Sequence, residues 1–416
     1  MRYIRLRDAR QCERSAMMFD FNTKSSVLLV FFAHGLVFAA LLLAKARSGQ
    51  RSAGWLSLFL LLCSLYVVPF MCGYANWYAH DGYRETLFYL PLQQVLLLGP
   101  VMYCYTRQLL NPSFRLSGKA WLHFLPALLY LLYALVIVVV DELVLDEPWF
   151  YSDGRDKDLK PWYQVVGLIS MLTYFGMSLH VYRNYQRMAY RVLSFAEEVQ
   201  HRWVQRFLVV FLAFLVLRIV FFIVQPEWGD FGRKFWYYVC FSVLFYYLAI
   251  TGYFHTLRTT LRGPLAQHDS PGALMYENVQ ALEADSEAGD PVEKALPEVE
   301  AWKPGLEKLM LEDHLYRNPS LTLMDVADRL STTPRQVSQL VNQGYAVNFN
   351  DFVNHHRAQA VMRLIREEKH KAQTLLSLAH DCGFNSKSTF NRAFKKSTGL
   401  TPKEFVQQVA ERGAKS

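Results

Sequence analysis

The stretch AWLHFLPALLYLLYALVIVVV, from Ala120 to Val140, decides which kind of fold the first part of this chain adopts. It contains no Asp, Glu, Lys or Arg. A helix needs about 20 predominantly apolar residues to cross the hydrocarbon core of a bilayer. The stretch is long enough and apolar enough to do so, and it therefore predicts a transmembrane helix.

Six more stretches of this kind flank it. The seven predicted spans cover residues 26–44, 54–72, 86–106, 120–140, 161–182, 203–224 and 235–254. The third is the weakest, because Pro91, Gln93, Gln94 and Pro100 interrupt its apolar run. A buried helix of a large soluble protein is the alternative for any one stretch. Seven in close succession instead predict a membrane domain over residues 26–256.

The loops between the spans predict the orientation of this domain. Lys and Arg gather in the loops after spans one, three and five, whereas the Asp141–Lys160 loop is acidic. Short loops rich in Lys and Arg stay on the cytoplasmic side of a membrane. An odd number of spans then leaves the C-terminal region in the cytoplasm.

The N-terminal tail, residues 1–25, does not fit this orientation. Its arginines lie on the side that should be translocated: Arg2, Arg5, Arg7, Arg10 and Arg14. A cleaved signal peptide would explain a basic start, but it would leave six spans and move the C-terminal region outside. We expect instead that translation begins at Met17 or Met18.

The charge of the chain changes after the last span. Residues 263–301 hold nine acidic residues, one Lys and several Pro and Gly, which predicts a flexible acidic linker over residues 257–301. The linker is either a solvated spacer or a competitor of DNA for a basic domain. Residues 302–416 carry seventeen basic and eleven acidic residues, a net charge of +6 that favours a nucleic-acid partner.

A helix-turn-helix pattern lies near the start of this basic region, in LTLMDVADRLSTTPRQVSQLVNQ (Leu321–Gln343). Ser331, Thr332 and Thr333 predict a turn and an N-cap, and Pro334 suits the first turn of the second helix. In this geometry the second helix enters the major groove of DNA. The apolar stripes of the two helices are Val326, Ala327 and Leu330, then Val337, Leu340 and Val341.

The pattern recurs in LAHDCGFNSKSTFNRAFKKSTGLTPKEF (Leu378–Phe405), offset by 52 residues in the first helix and by 53 in the second, with the extra residue in the turn at Gly383-Phe384. Leu378 and Ala379 match the stripe of the first helix, whereas Phe390 and Ala393-Phe394 match that of the second. Asn385 or Ser386 can cap this second helix. Between the copies, FNDFVNHHRAQAVMRLI (Phe349–Ile365) predicts a long amphipathic helix.

The string G-F-x-S-x-S-x-F-x-R-x-F-K-K-x-x-G-x-T-P, from Gly383 to Pro402, resembles the DNA-binding domain of AraC/XylS-type transcriptional regulators. The resemblance covers residues 302 to about 410. It implies a small all-α domain, residues 302–416, with two helix-turn-helix motifs joined by a long helix. The complete expected fold is all-α, with a seven-helix transmembrane bundle before this domain.

The resemblance also implies which residues contact DNA. Arg can pair with guanine and Gln or Asn with adenine, whereas Lys meets phosphate without reading sequence. Base contacts are expected from Arg335, Ser338, Gln339, Lys387, Ser388 and Arg392. Backbone contacts are expected from Asn391, Lys395 and Lys396.

Polar residues within the spans suggest a ligand pocket. His34, Gln93, Gln94, Gln164 and Arg218 all fall in the outer half of their spans in the predicted orientation. A charge inside a span is costly and usually faces a partner or a wet cavity. Arg218 either pairs with an acidic residue at 141 or 142, snorkels outward, or binds an anionic ligand. These interpretations remain open.

These features predict a membrane-anchored, sequence-specific regulator of transcription that couples an envelope or membrane signal to transcription. A small-solute transporter or channel with a DNA-binding regulatory tail is the alternative. The expected location is the inner membrane of a bacterium, with several passes and a cytoplasmic C-terminal domain. Expected partners are double-stranded DNA and membrane lipid, and further candidates are a small anionic ligand, a second copy of the chain and RNA polymerase.

We expect no enzymatic activity, no cofactor and no metal site. The sequence has no P-loop, no G-x-S-x-G, no H-E-x-x-H and no protein-kinase string. Its six cysteines form no CxxC pair and do not lie at zinc-ligand spacing with His.

Overall fold

The computed structural model describes residues 19–145, 149–152, 154, 156–197, 202–224, 234–261, 275, 278–279 and 301–413. Over these residues the chain consists of helices, turns and one isolated β-bridge, so the all-α fold class is confirmed. The expected start at Met17 or Met18 and most of the predicted linker lie outside the described residues. The chain divides into two compact units, residues 1–182 with 201–261 and residues 183–200 with 262–416.

The first unit contains the apolar helices. They are α1 (Thr23–Arg47), α2 (Arg51–Tyr74), α3 (Asp81–Tyr89), α4 (Val95–Leu110), α5 (Leu125–Val139), α6 (Pro161–Val192), α7 (Arg202–Val224) and α8 (Phe235–Leu261). A 3-10 helix (Gly118–Phe124) precedes α5, and a π-helical turn (Val140–Leu145) extends it. The residues of α6 beyond Tyr182 belong to the second unit.

Six helical segments among the described residues are long and apolar enough to cross a membrane. They are Thr23–Arg47, Arg51–Tyr74, Gly118–Leu145, Pro161–Val192, Arg202–Phe221 and Phe235–Arg258. The most apolar part of Arg51–Tyr74 is 72% buried, whereas that of Gly118–Leu145, which contains α5, is 22% buried. On α5, Leu128, Leu129, Leu132 and Leu135 are all exposed. Such a continuous exposed apolar surface suits a hydrocarbon environment better than water.

The third predicted span is not one continuous helix. Residues 86–106 comprise the end of α3, an extended stretch and most of the 16-residue α4. The helix breaks because Pro91 lacks an N–H and disfavours a helical residue before it. Within the break, the Gln93 N–H donates to Asp158 Oδ2 (2.8 Å), and the Tyr163 hydroxyl donates to the Gln93 carbonyl (2.9 Å). Irregular backbone is tolerated at membrane depth when protein buries it in this way.

α4 nevertheless runs from one end of the first unit to the other. The stretch before it contacts residues 158 and 163, whereas the Tyr105 hydroxyl accepts a hydrogen bond from Trp203 Nε1 at the start of α7 (2.5 Å). At the end of α3, the Phe88 carbonyl accepts a hydrogen bond from the Tyr151 hydroxyl. The chain just before α4 thus lies at the same end of the unit as Tyr151 and Asp158. This arrangement fits seven segments that alternate in direction, with a short third one.

The second unit contains the two predicted motifs. Its helices are α9 (Lys303–Leu311), α10 (Leu323–Arg329), α11 (Pro334–Gln339), α12 (Phe349–Arg366), α13 (Leu375–Asp381), α14 (Lys387–Thr398) and α15 (Pro402–Gly413). A π-helical turn (Leu340–Gly344) extends α11. Nine of the eleven predicted apolar positions lie in one buried core, namely Val326, Ala327, Val337, Leu340, Val341, Ala379, Phe390, Ala393 and Phe394. Leu330 is only partly buried and packs against this core, and Leu378 is buried. The prediction of two helix-turn-helix motifs joined by a long helix is confirmed.

Two further pieces of chain complete this core. The end of α6 and the turn after it contribute Ala189, Val192, Leu193, Phe195 and Ala196. From the region of the predicted linker, Met275 and Val279 pack on the same core, and Asn278 Oδ1 accepts a hydrogen bond from the Met324 N–H (3.0 Å). The second unit is therefore assembled from chain on both sides of α7 and α8.

Candidate nucleic-acid interface

α10 and α11 both begin with a capping box, in which the N-cap residue and the third helical residue hydrogen-bond to each other's backbone. The Thr322 hydroxyl accepts a hydrogen bond from the Asp325 N–H while the Asp325 carboxylate accepts one from the Thr322 N–H, and Thr333 and Gln336 repeat this pairing. Each pair satisfies two backbone donors that the start of a helix leaves without a helical partner. Pro334 follows at the first helical position, as its fixed φ favours. The predicted cap at the end of the 331–333 turn is confirmed.

The predicted base-contact residues of the first motif all lie on α11. Arg335, Ser338 and Gln339 are partly exposed, whereas Val337 between them is buried. Asn342 Nδ2 donates a hydrogen bond to Ser338 Oγ (3.3 Å). α11 thus turns one Arg and one Gln toward solvent, and these side chains match the hydrogen-bonding edges of guanine and adenine.

α14 exposes a row of basic and polar side chains. Ser386, one of the two predicted caps, accepts a hydrogen bond from the Thr389 N–H, and Gly399 ends the helix with a φ of +77°. Phe390 and Phe394 are buried on the inner side of the helix. Its exposed residues, which we call the α14 surface, are Lys387, Ser388, Asn391, Arg392, Lys395 and Lys396. All the predicted DNA contacts of the second motif therefore share one surface.

Two residues of the α14 surface form ion pairs. Lys396 Nζ lies 2.7 Å from Asp351 Oδ2, with the lysine side chain 64% exposed. Such an exposed pair contributes only about 0–1 kcal/mol, so a phosphate can readily replace the carboxylate. Arg392 pairs with Glu197, and its Nη1 donates a hydrogen bond to the Tyr190 hydroxyl (3.2 Å). The partners of Arg392 come from the turn after α6 and from the end of that helix.

Three polar side chains of α12 are buried, which sequence reasoning missed. Asn350, Asn354 and Arg357 follow one another at i, i+4 and i+7, so they share one face of the helix. Arg357 Nε donates to the Tyr316 carbonyl (2.7 Å), and its Nη2 donates to the Asn318 carbonyl (2.7 Å). A buried guanidinium is tolerated only when its donors are matched in this way. The sequence signal that could have revealed them is their helical spacing, which places these three polar residues on the same face as the apolar residues of α12.

The turn between α13 and α14 requires glycine at position 383. Gly383 has a φ of +90°, a conformation that residues with a Cβ rarely adopt. A Cβ at this position would lie 2.5 Å from the Tyr316 carbonyl oxygen and 2.8 Å from that of Arg317. Two backbone segments therefore meet here more closely than a Cβ atom would allow.

One histidine of α12, His356, is partly buried. Burial and the neighbouring His355 lower the pKa of His356 to about 4. The His356 ring packs edge-on against Phe352, with 4.8 Å between the ring centres. His356 is therefore neutral at neutral pH and gives DNA no cation to contact.

In the first unit, the structure brings together three of the five predicted pocket residues. Arg218 is 1% exposed, and it donates hydrogen bonds to the Tyr66 hydroxyl (2.8 Å) and to Gln164 Oε1 (2.6 Å). Gln164 Nε2 in turn donates to Gln93 Oε1 (3.0 Å), and Gln93 Nε2 donates to the Tyr238 hydroxyl (3.1 Å). These hydrogen bonds join residues from α2, α6, α7 and α8 and from the break before α4.

The other two predicted pocket residues form local hydrogen bonds. Gln94 Nε2 donates to the Pro91 carbonyl (2.7 Å). The His34 side chain is exposed, and its Nδ1 lies 2.7 Å from the Val30 carbonyl oxygen, one turn earlier in α1. Of the five residues that the sequence placed at one depth, Gln93, Gln164 and Arg218 therefore lie together in one network. His34 instead lies on an exposed face of its helix.

Comparisons with known proteins agree with the geometry of the second unit. Residues 326–408, from α10 to α15, match the sequence profile of a family described as a helix-turn-helix domain. An uncharacterized HTH-type transcriptional regulator of Escherichia coli K12, YijO, is 32% identical over 89 residues, which are 21% of this chain and 30% of that protein. The regulatory protein PocR of Salmonella typhimurium LT2 is 29% identical over 101 residues, 24% of this chain and 32% of that protein. No solved structure matches the chain significantly.

These matches cover about a third of the length of each relative, so they concern a domain and not a whole protein. They agree with the two capped helix pairs, the shared core and the exposed basic helix described above. The C-terminal region of this chain is a helix-turn-helix domain of the AraC type.

Proposed function

We propose that the protein is a membrane-anchored transcription regulator that binds DNA sequence-specifically and couples an envelope or membrane signal to transcription. The observation that carries this proposal is that the described residues of one chain contain six long apolar helical segments together with two helix-turn-helix motifs and an exposed basic α14 surface. The membrane in question is the inner membrane of a bacterium, with the C-terminal domain in the cytoplasm. Base contacts by α11 and by Lys387, Ser388 and Arg392 are part of the proposal, as are backbone contacts by Asn391, Lys395 and Lys396.

A transporter or channel with a DNA-binding tail is the second candidate, but the first unit supports it less well. Transporters bind their substrates near the middle of the membrane, through polar groups and broken helices. One small cavity in the first unit is lined by apolar side chains, among them Phe59, Leu98 and Phe211. Gln164 Nε2 donates a hydrogen bond to Gln93 Oε1 (3.0 Å), and both side chains are buried. An anionic ligand at Arg218, a homodimer and a contact with RNA polymerase stay predictions.

The membrane topology can be tested with reporter fusions. Alkaline phosphatase, which folds only where its disulfides can form, should be active when fused within residues 149–152 and inactive when fused after residue 270. A fusion at Asn76 should also be active, because a crossing by α4 places the α2–α3 loop outside. Green fluorescent protein at the same positions is the control and should show the opposite pattern. Phosphatase activity after residue 270 would contradict the proposal.

The DNA contacts can be separated by their effect on sequence preference. Arg335→Ala should weaken binding to a selected site by about 1–3 kcal/mol and relax one base position, because a two-pronged base contact is lost. Lys395→Ala should weaken all sites alike and lower the slope of log affinity against log salt by about one. The measurement is fluorescence anisotropy with the full-length protein in detergent and a site enriched from host genomic DNA.

Lys308→Ala is the matched control for this experiment, because Lys308 is an exposed cation on α9 and not on a recognition helix. It removes the same charge as Lys395→Ala and should change affinity only slightly. Equal effects of Arg335→Ala and Lys308→Ala, or failure to enrich any site, would show that α11 does not read DNA.

A further inference from the structure

The end of α6 and the turn after it, residues 189–197, are seated in the core of the second unit. We call these residues the docked segment. Leu193 forms the isolated antiparallel β-bridge with Thr322, and the Ser194 N–H donates to the Leu321 carbonyl (3.1 Å). Phe195 and Ala196 are buried in the same core. The docked segment is therefore held by backbone pairing as well as by apolar packing.

The buried polar row of α12 binds the backbone of this segment. Asn350 Nδ2 donates to the Leu193 carbonyl (3.1 Å), and Asn354 Nδ2 donates to the Ser194 carbonyl (3.3 Å). Arg357 Nη2 donates to Ser194 Oγ (3.0 Å). Buried amides and a buried guanidinium are costly unless they have such acceptors. The three side chains that sequence reasoning missed thus form a polar socket that fits the docked segment.

The last residue of the docked segment binds two residues of α14. The Glu197 carboxylate pairs with Arg392 through one oxygen and accepts a hydrogen bond from the Thr389 hydroxyl through the other (2.8 Å). A carboxylate offers an arginine two acceptors, as the O6 and N7 edge of guanine does, and a phosphate offers acceptors in the same way. Arg392 Nη2 faces Glu197 and its Nη1 faces Tyr190, so both terminal nitrogens of the guanidinium already have a partner. A two-pronged contact with guanine through these nitrogens therefore requires Arg392 to leave Glu197.

We propose that the docked segment is an internal inhibitor of DNA binding, which holds Arg392 while seated in the polar socket and frees the α14 surface when it is released. This inference rests on the proposed function and adds its regulation. The segment is joined covalently to apolar helices on both sides, since it overlaps the end of α6 and α7 begins at Arg202. A signal that moves the end of α6 or the start of α7 can thus act on the segment through the chain itself.

The first test removes the competing charge. Glu197→Gln in the full-length, detergent-solubilised protein should tighten binding to a random-sequence pool of short duplex DNA about tenfold, as expected for loss of a charge-assisted contact. Glu367→Gln is the control, because Glu367 is an exposed acid just after α12 and changes the net charge equally. In an Arg392→Gln background, Glu197→Gln should have no further effect beyond that of the control.

The second test follows the release of the segment directly. Ser194 is fully buried. Ser194→Cys, in a chain whose native cysteines are replaced, should react slowly with a hydrophilic maleimide. Saturating duplex DNA should speed this reaction several-fold, because bound DNA and the docked segment exclude each other. The matched reference is Ser388→Cys on the α14 surface, which bound DNA should protect instead.

The outcomes separate the inference from the proposed function. Failure of the wild type, Glu197→Gln and the control to bind any DNA would overturn the proposed function. If the wild type binds DNA, equal affinities of Glu197→Gln and Glu367→Gln, or a labelling rate of Ser194→Cys that DNA does not change, would overturn the inhibitor and leave the function standing. Weaker binding by Glu197→Gln would show that Glu197 positions Arg392 for DNA, which also overturns inhibition.

Discussion

Gly383→Ala should unfold the turn between α13 and α14 and abolish DNA binding by the second motif. The φ of +90° strains any residue with a Cβ, and the new methyl group would collide with the carbonyl oxygens of Tyr316 and Arg317. Both contacts are with backbone, so no side-chain rotation relieves them. We expect the local structure to lose at least about 3 kcal/mol of stability, near the upper end for a single substitution.

Hydrogen–deuterium exchange of the full-length protein measures the loss of stability at the turn between α13 and α14 itself. Amides of residues 375–398 should lose roughly a hundredfold of protection, since each factor of ten in an equilibrium corresponds to about 1.4 kcal/mol. Gly399→Ala is the matched control, because Gly399 also has a positive φ but no neighbouring atom lies within 4 Å of the place that a methyl group would take. It should lose only about 1–2 kcal/mol from strain alone. Equal losses at the two positions would show that the contact with residues 316 and 317 does not matter.

Arg218→Met should destabilise the first unit by about 3 kcal/mol. Methionine keeps an unbranched apolar stem, but it leaves the Tyr66 hydroxyl and Gln164 Oε1 without the donors they have now. Unmatched polar groups in a buried site are costly, and removing one member of a buried charged network is among the more damaging substitutions. The hydrogen bonds of Arg218 hold α2, α6 and α7 together, so the loss should spread through the bundle.

The buried thiols of the first unit provide the measurement. Cys63, Cys72 and Cys104 are buried, so a thiol-reactive fluorogenic dye reports unfolding of the detergent-solubilised protein on heating. The midpoint should fall clearly for Arg218→Met and stay unchanged for His34→Ala, which alters an exposed side chain. A normal midpoint together with a lost transcriptional response would instead assign Arg218 to ligand binding and contradict the structural role.

Much of the fold could be predicted because it depends on local pattern. The apolar spans are long enough to be recognised one by one, and six of them are long helices in the structure. The two motifs could be predicted for a similar reason, since caps such as Thr333 and Ser386 act within three residues of themselves. The exposed face of α14 follows from helical periodicity, because its buried partners Phe390 and Phe394 are four residues apart.

The break in the third span is an intermediate case. Pro91 marked the weak point in the sequence, but the sequence does not say whether the chain there still crosses the bundle. The answer depends on Asp158 and Tyr163, which lie some 65 to 70 residues further along the chain and satisfy the backbone of Gln93. A broken segment at membrane depth is viable only with such partners.

By itself, the sequence determined the helices, their apolar faces and the type of the C-terminal domain, because those properties repeat every three to four residues and need no distant partner. Only the tertiary structure decided which buried polar groups meet. Arg218 finds Gln164, Arg357 finds Ser194, and Arg392 finds Glu197, across separations of 54, 163 and about 195 residues. The sequence does not show which partner a polar side chain will have, because the partner depends on which groups the folded core brings close to it. A buried charge must then be matched, because leaving it without a partner costs much free energy.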